Sequence, residues 1–226
     1  MQVKSRIAVA LLLAAATGMV QADGYAVGVV AGTNGIGLDF TNALTDAFTV
    51  SLDYGSGKIN TTRSVSDISY KADTTFGGVG FKASYFPLAG SKLHVTAGFL
   101  LNNTELDAEA QSEDGSYNIN GTQYPASYIG SMKAKIQFPS SSPYIGVGWG
   151  NPVWAGSKVN FTVDLGVQYL KSINASLTAS CNNAAINQLQ CTQLKNDIAQ
   201  EEAQLQDEMN KVNWWPSARI GLHYQF

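Results

Sequence analysis

The C-terminal segment Ala218–Phe226 (ARIGLHYQF) constrains the fold of this chain more than any other feature. Counting back from Phe226, every second residue is apolar or aromatic, and the residues between them are polar, charged or small. A period of two indicates a β-strand with two unlike faces. An edge strand of a soluble domain is the alternative for this segment alone, so the rest of the chain must decide between the two.

The N-terminus predicts a secretory signal peptide. Lys4 and Arg6 form a positive start, an apolar run of about ten residues follows from residue 7 to residue 16, and Val20-Gln21-Ala22 is a small-x-small cleavage site. We therefore divide the chain into a signal peptide, residues 1–22, and a mature domain, residues 23–226. An uncleaved anchor is disfavoured because a spanning helix needs about 20 apolar residues.

The composition favours a membrane barrel for the mature domain. Only 14% of residues are charged and 22 are glycine, with 10 Tyr, 9 Phe and 4 Trp. Only helices and closed barrels satisfy their backbone hydrogen bonds in lipid, and no later segment is apolar for long enough to be a spanning helix. A narrow barrel requires small inward residues and aromatic residues at the membrane edges. The formal net charge of −3 disfavours nucleic acid as a partner.

Alternation recurs along the mature chain, and turn-forming residues separate the alternating segments. One ambiguity remains at Thr33-Asn34-Gly35, which is either a tight hairpin between two strands or a bulge within one. In the second case residues 127–138 supply the missing strand, so each reading gives eight strands. The fold prediction is an all-β, eight-stranded antiparallel transmembrane β-barrel. The predicted outward-facing residues include Tyr25, Val27, Val29, Ile36, Leu38, Phe40, Phe48, Val50, Leu52, Tyr54, Val79, Phe81, Leu93, Val95, Phe99, Ile145, Val147, Trp149, Val159, Phe161, Leu165 and Tyr169.

The same register predicts the residues that face the lumen. Nearly all strand charges fall on this inward face, as expected because a basic residue on the lipid face at mid-bilayer costs about 2–4 kcal/mol. Asp164 and Arg219 lie on the last two strands and are expected to pair. Inward glycines either leave lumen space open or let the backbone coil tightly. The predicted polar residues of the lumen are Asp39, Asp53, Lys82, His94, Tyr144, Asp164, Arg219 and His223.

A polar run over residues 105–114 departs from the barrel pattern. It carries five carboxylates and no basic residue, and clustered like charges raise the local concentration of counter-ions. We interpret it as a cation vestibule; the alternatives are a solvated surface or carboxylates bridged by divalent ions to lipopolysaccharide. The predicted vestibule residues are Glu105, Asp107, Glu109, Glu113 and Asp114.

A long loop over residues 171–213 contains a second departure. Apolar residues recur at helical spacing from Ile186 to Val212, which predicts an amphipathic helix before the last strand. If Phe226 ends at the periplasmic side, this helical insertion is extracellular. Cys181 and Cys191 are the only cysteines, and a disulfide is the default in an exported chain.

Catalytic and cofactor sites are not indicated. His94 and His223 lack the serine motif of a hydrolase and metal-binding spacing, so a lumen-filling role explains them better. Gly146-x-Gly148-x-Gly150 lies within an alternating strand and opens no helix, unlike a nucleotide loop. The prediction is therefore a non-enzyme without a cofactor or metal.

Several segments carry a resemblance to a known family. The segment Pro143–Pro152 (PYIGVGWGNP), Asp164–Val167, residues 171–179 and the acidic helix that runs into Trp214-Trp215-Pro216 resemble small proteobacterial outer-membrane β-barrels. Within them the chain is similar to the carbapenem-susceptibility-associated, ornithine-uptake type. The resemblance is strongest from Tyr128 onward and implies an eight-stranded monomeric barrel with sizeable external loops. It supplies no catalytic or ligand residues to transfer.

These observations predict a protein of the bacterial outer membrane. The leading hypothesis is a narrow porin-like channel or binding protein for small hydrophilic solutes, with a preference for cationic amino acids. The alternative is a structural or surface-interaction barrel with a plugged lumen. Expected partners are outer-membrane lipid and lipopolysaccharide, small solutes, and the barrel-assembly machinery, for which Tyr224 and Phe226 form the C-terminal signal.

Overall fold

The computed structural model describes residues 24–65, 68–110, 115–182 and 184–226. The predicted signal peptide, residues 1–22, lies outside the described residues. The elements are β1 (Tyr25–Gly32), β2 (Gly35–Thr45), β3 (Phe48–Val65), β4 (Ile68–Tyr85), β5 (Leu93–Asn102), β6 (Glu105–Ala110), β7 (Ser116–Ile119), β8 (Thr122–Pro125), a 3₁₀ turn (Ala126–Tyr128), β9 (Ile129–Gln137), β10 (Ser141–Trp149), β11 (Val159–Tyr169), β12 (Asn174–Cys181), α1 (Gln188–Asn210) and β13 (Trp214–Gln225).

Eight antiparallel strands close into a ring, which confirms the predicted fold. The ring order is β1-β2-β3-β4-β5-β10-β11-β13, closed by the pairing of β13 with β1. We call the end of the barrel that carries Tyr25 and Phe226 the proximal end and the opposite end the distal end. The proximal connections are short, whereas β6 to β9, β12 and α1 are all inserted at the distal end. Short turns at one end and long insertions at the other are typical of outer-membrane barrels.

The two faces of the wall have opposite chemistry, as the alternation predicts. On the outer wall Val29 is 57% exposed and Phe99 is 60% exposed, whereas Asp39 and His223 on the inner wall are 1% exposed. The period of two sets this pattern, because neighbouring residues of a strand point to opposite faces. The apolar outer wall suits a hydrocarbon environment, and the inner wall holds the polar groups.

The strand count is resolved in favour of the hairpin. Thr33 and Asn34 connect β1 to β2, and Gly35 has a φ of +89°, in the left-handed region where a side chain is unfavourable. The alternative, a bulge with residues 127–138 supplying a barrel strand, is wrong. Residues 129–137 do form a strand, but it lies outside the ring.

A second structure, which we call the distal unit, extends from the wall of the barrel. The distal half of β4 continues past the ring and pairs with β6, which pairs with β9, which pairs with β12. The β7–β8 hairpin and α1 cover one face of this sheet. Their shared core contains Tyr117, Ile119, Tyr124, Ala126, Leu194 and Ile198.

The helix of the distal unit follows the predicted helix closely but is shorter at both ends. It spans Gln188–Asn210 rather than residues 186–212. Asn187 caps its N-terminus: the Asn187 side chain accepts a hydrogen bond from the Gln190 backbone N–H, and the Gln190 side chain accepts one from the Asn187 backbone N–H. Among the described residues, no helix has the length and apolar character needed to cross a membrane.

Candidate functional site

The barrel lumen brings together all eight of the predicted polar residues. They come from β2, β3, β4, β5, β10, β11 and β13, so seven of the eight ring strands contribute. Five of them are 5% exposed or less, and Tyr144 and Lys82 are 6% and 9% exposed, which places these seven well inside the wall rather than at a mouth. The eight residues are Asp39, Asp53, Lys82, His94, Tyr144, Asp164, Arg219 and His223.

Arg219 is the centre of this cluster. Its Nε and Nη2 atoms donate to Oδ2 of Asp164 at 3.2 and 3.1 Å. Its Nη1 atom donates to Oδ2 of Asp39 at 3.0 Å and to Oδ1 of Asp53 at 3.2 Å. One guanidinium therefore links carboxylates from three strands, and the planar fork of arginine suits such multiple contacts.

The two histidines bind the same carboxylates from the other side. Nε2 of His94 donates to Oδ1 of Asp164 at 2.8 Å, and Nε2 of His223 donates to Oδ1 of Asp39 at 3.1 Å. Each contact spans one intervening strand, β10 between His94 and Asp164 and β1 between His223 and Asp39. The histidines therefore link strands that are not hydrogen-bonded neighbours in the ring.

Lys82 completes the network. Its ammonium group donates to Asp53 and lies 5.4 Å from the centre of the Tyr144 ring, within range of a cation–π contact. The cluster thus holds three carboxylates against two permanent cations. Because a buried charge without a partner is costly, this mutual pairing explains how so many charges are tolerated inside the barrel.

The inward glycines make room for these side chains. A Cβ atom at Gly28 would lie 2.2 Å from Cδ2 of His223, and one at Gly80 would lie 2.6 Å from the Asp53 carboxylate. A Cβ atom at Gly146 would lie 2.4 Å from the Tyr144 hydroxyl. Of the two explanations that the sequence left open, neither unfilled space nor tight coiling alone is sufficient, because large polar side chains from a neighbouring strand, or from the same strand for Tyr144, occupy the space.

Little free volume remains in the lumen. A cavity of about 20 Å³ lies on the distal side of Arg219, beside Asn34, Lys82 and Tyr144. One of about 10 Å³ lies on the proximal side, beside His94 and Phe86. A single water needs about 10–15 Å³ of such space, so each cavity has room for about one or two waters and for no amino acid.

Thr41 and Phe86 contact the network inside the lumen and lay outside the predicted set. The Thr41 hydroxyl donates to Oδ1 of Asp39 at 2.7 Å, and Phe86 packs its ring 5.1 Å from that of His94. Thr41 could have been found, since it follows Asp39 by two residues and shares its inward register. Phe86 follows the last residue of β4 and gives no comparable signal, because its inward position depends on the proximal turn.

Three of the predicted vestibule residues lie in the described part of the chain, and these three do not surround the lumen. Glu105, Asp107 and Glu109 lie on β6, opposite β4 residues that share the outward register of Val79 and Phe81. Lys135 lies 3.1 Å from Glu105 and 3.5 Å from Asp107, and Lys133 lies 3.3 Å from Glu109. Hydrogen bonds from Gln137 and Lys135 lower the pKa of the Glu105 carboxyl.

These two lysines pair with the three described carboxylates of the predicted vestibule. Glu113 and Asp114 lie outside the described residues. The described part of the cluster therefore gives no support to a cation vestibule at the lumen.

The other predicted sites lie at the two ends of the molecule. Cys181 and Cys191 form a disulfide that joins the end of β12 to the first turn of α1. At the proximal end the Phe226 ring stacks on Tyr25 with 5.3 Å between centroids and meets the edge of Tyr224 at 5.1 Å. No group of three or more potential metal ligands occurs in the parts of the chain that the structure describes.

Two solved structures share this fold. The crystal structure of Acinetobacter baumannii CarO2 matches with a TM-score of 0.64 and 19% identity, over 91% of this chain and 100% of that chain. The crystal structure of Acinetobacter baumannii CarO matches with a TM-score of 0.59 and 18% identity, over 89% of this chain and 97% of that chain. No protein-family profile matches the sequence, and no curated protein sequence is significantly similar to it. The chain has the fold of the CarO outer-membrane barrels, which confirms the resemblance seen in the sequence.

Proposed function

We propose that this protein is an integral outer-membrane barrel whose lumen is closed by the Arg219 network and which holds the distal unit at the cell surface. Bacterial outer-membrane barrels have short periplasmic turns and long external insertions. On that basis the proximal end faces the periplasm and the distal unit faces outward. Its outer wall contacts membrane lipid, with lipopolysaccharide around the distal rim.

The observation that carries this proposal is the position of Arg219 across the lumen. The guanidinium joins carboxylates of Asp39, Asp53 and Asp164, and the cavities directly beside it hold about one or two waters on the distal side and about one on the proximal side. The described lumen residues leave a hydrophilic solute too little space to pass this point. The closed lumen favours a barrel that holds the distal unit at the cell surface over a permanently open pore.

The distal unit is built like a surface domain in its own right. It has a hydrophobic core beneath α1 and a disulfide at the start of the helix. The Asn120–Gly121 turn of the β7–β8 hairpin is held on the helix, since the Asn120 backbone N–H donates to Glu201 at 2.9 Å and its side chain donates to Gln200 at 2.8 Å. This ordered unit, rather than a set of free loops, is what the barrel presents outward.

A second candidate function is the narrow solute path predicted from the sequence, with a preference for cationic amino acids. One observation favours it: the three lumen carboxylates converge on a single guanidinium, and a cationic side chain of a solute has the same chemistry as Arg219. Transport in this form requires the Arg219 side chain to leave its partners while a solute takes its place.

A catalytic role is not part of the proposal. In the described residues the His94 and His223 rings bond to aspartates and, for His94, to a backbone carbonyl, and neither is hydrogen-bonded to a serine, threonine or cysteine. A nucleophile with an adjacent base is therefore not formed by either histidine.

Liposome swelling and planar-bilayer conductance separate the two candidates. With purified folded protein, we expect swelling with lysine, ornithine, glutamate and sugars to stay at the level of protein-free liposomes, without discrete conductance steps. Selective swelling with lysine and ornithine would instead support the solute path. Arg219→Ala then serves as an internal control, because removing the central side chain should raise conductance in either case.

A further inference from the structure

The outer wall carries a groove that crosses four strands. Its volume is about 420 Å³, within the range of about 300–1,000 Å³ that is usual for ligand pockets. The floor is a row of small or polar cross-strand neighbours: Asn42 on β2, Val50 on β3, Ala83 on β4 and Ala97 on β5. Phe40, Leu52 and Phe81 form the distal rim. On the proximal side Phe48 and Tyr85 stack with 4.7 Å between ring centroids.

Asn42 is an unusual residue for this wall. It shares the outward register of Phe40 and pairs with Tyr25 on one side and Val50 on the other. It is only 3% exposed, and within the described residues its Nδ2 group has no hydrogen-bond acceptor. A buried amide without a partner is costly in an apolar environment, so the groove lacks an acceptor at its Asn42 end.

We propose that this groove binds one acyl chain of a glycerophospholipid and that the Asn42 amide turns over, so that its Nδ2 group donates a hydrogen bond to an ester carbonyl of the lipid. The proposal rests on the outer-membrane assignment above, which surrounds this wall with lipid. Asn42 lies beside Tyr25, whose ring stacks on Phe226 at the proximal end. Aromatic residues mark the boundary of the hydrocarbon region in outer-membrane barrels, and the ester groups of the proximal leaflet lie at that boundary.

The lining of the groove excludes two simpler occupants. Water needs two to four polar partners at a buried site, whereas this groove offers an apolar lining of Phe40, Val50, Leu52, Phe81 and Ala83 with one amide. A detergent or hydrocarbon without a carbonyl would fill the groove but leave the Asn42 amide unpaired. An acyl ester supplies both the apolar chain and the acceptor.

Native mass spectrometry of the folded protein tests the proposal with two lipids of equal chain length. One is diacyl phosphatidylethanolamine, and the other is its diether analogue, which has the same headgroup but no carbonyls. We expect the wild type to bind the diacyl lipid about three- to tenfold more tightly, the usual effect of one hydrogen bond. Asn42→Leu should remove this preference, because it deletes the donor and keeps the groove apolar.

A second pair of variants tests the groove itself. Val50→Phe places a ring on the groove floor and should lower the affinity for both lipids. Val159→Phe introduces the same change on β11, at an outer-wall position that is 54% exposed and separated from the groove by β10, and should leave both affinities unchanged. All variants are first shown to be folded by heat-modifiable migration in electrophoresis.

Three outcomes would overturn the proposal. They are equal affinities of the wild type for the two lipids, an ester preference that survives Asn42→Leu, and lipid binding that Val50→Phe leaves intact. Dimerisation that Val50→Phe abolishes would assign the groove to a second copy of the chain instead. Failure of the outer-membrane assignment would be seen separately, as an absence of the protein from the outer-membrane fraction.

Discussion

A Cβ atom at Gly148 would lie 2.3 Å from Nε2 of His94. This nitrogen bonds to Asp164, and the same added atom would lie 2.7 Å from Oδ1 of Asp164. Gly148 on β10 therefore leaves open the space that His94 from β5 and Asp164 from β11 occupy. The closed lumen depends on such pairs, in which a glycine on one strand leaves room for a large side chain from a neighbouring strand.

Gly148→Ala should break the contact between His94 and Asp164. The expected loss is about 1–3 kcal/mol of unfolding free energy, the cost of leaving a buried polar group without its partner. Urea unfolding of the protein in phospholipid vesicles measures it. Gly24→Ala is the matched control, because its Cβ would meet neighbours at 3.5 Å, an ordinary contact distance. An equal effect of both substitutions would show that loss of glycine in general, rather than the His94 contact, is responsible.

Arg219→Met should be the most destabilising single change in the lumen. It leaves the carboxylates of Asp39 and Asp164 without the guanidinium, and breaking a buried ion pair costs about 3–5 kcal/mol. Lys211→Met removes a cation that pairs with Glu208 on the surface and should cost less than about 1 kcal/mol. Thermal unfolding of the two variants, followed by the loss of heat-modifiable migration, tests the contrast; similar melting temperatures would contradict a central role for Arg219.

The disulfide should stabilise the distal unit and leave the barrel unaffected. Cys181 and Cys191 are separated by 10 residues, and closing a loop of that size contributes about 2–3 kcal/mol. In the Cys181→Ala/Cys191→Ala variant we expect faster proteolysis within α1, while the barrel keeps its heat-modifiable migration. Alkylation and mass spectrometry of protein taken directly from the outer membrane should find both cysteines oxidised, and free thiols there would refute the prediction.

Deletion of Phe226 should reduce the amount of protein in the outer membrane. Its ring packs on Tyr25 and Tyr224 at the proximal end, and the sequence predicts that it ends the signal for barrel assembly. Membrane fractionation with immunoblotting should show less folded barrel and more periplasmic aggregate. Phe226→Tyr keeps an aromatic ring and should restore wild-type levels. An undiminished barrel in the deletion variant would count against this assembly signal.

Tyr124 should titrate well above ordinary tyrosines. Burial and its hydrogen bond to Asp197 raise its pKa from 10.0 to about 12. Because the folded pKa is raised, the stabilisation from this group is complete below pH 10 and is lost as the pH rises through about 12. The difference in phenolate absorbance between the wild type and Tyr124→Phe isolates this residue, and a midpoint near pH 10 would contradict the prediction.

The barrel was predictable because one physical rule acts along every spanning strand. A charge on the lipid face is costly, so apolar residues such as Val147 and Phe161 alternate with lumen residues such as Asp164. The same rule identified the eight polar lumen residues of the predicted set, whose inward register Thr41 shares. The rule did not predict Phe86, because a proximal turn, rather than strand alternation, directs its ring inward. The rule did not predict the sheet of the distal unit because β6 lies outside the eight-stranded ring, where both faces tolerate charge.

The sequence by itself determined the architecture of this protein: a period of two and glycine-rich inward positions specify a closed barrel, and the lipid environment penalises any other register. Tertiary structure alone decided whether the lumen is filled. Each lumen contact joins residues far apart in sequence, as Arg219 and Asp39 are, and alternation sets only the face on which each side chain lies. Which side chains meet inside the lumen, and which glycines leave room for them, is decided only when the eight strands close into a ring.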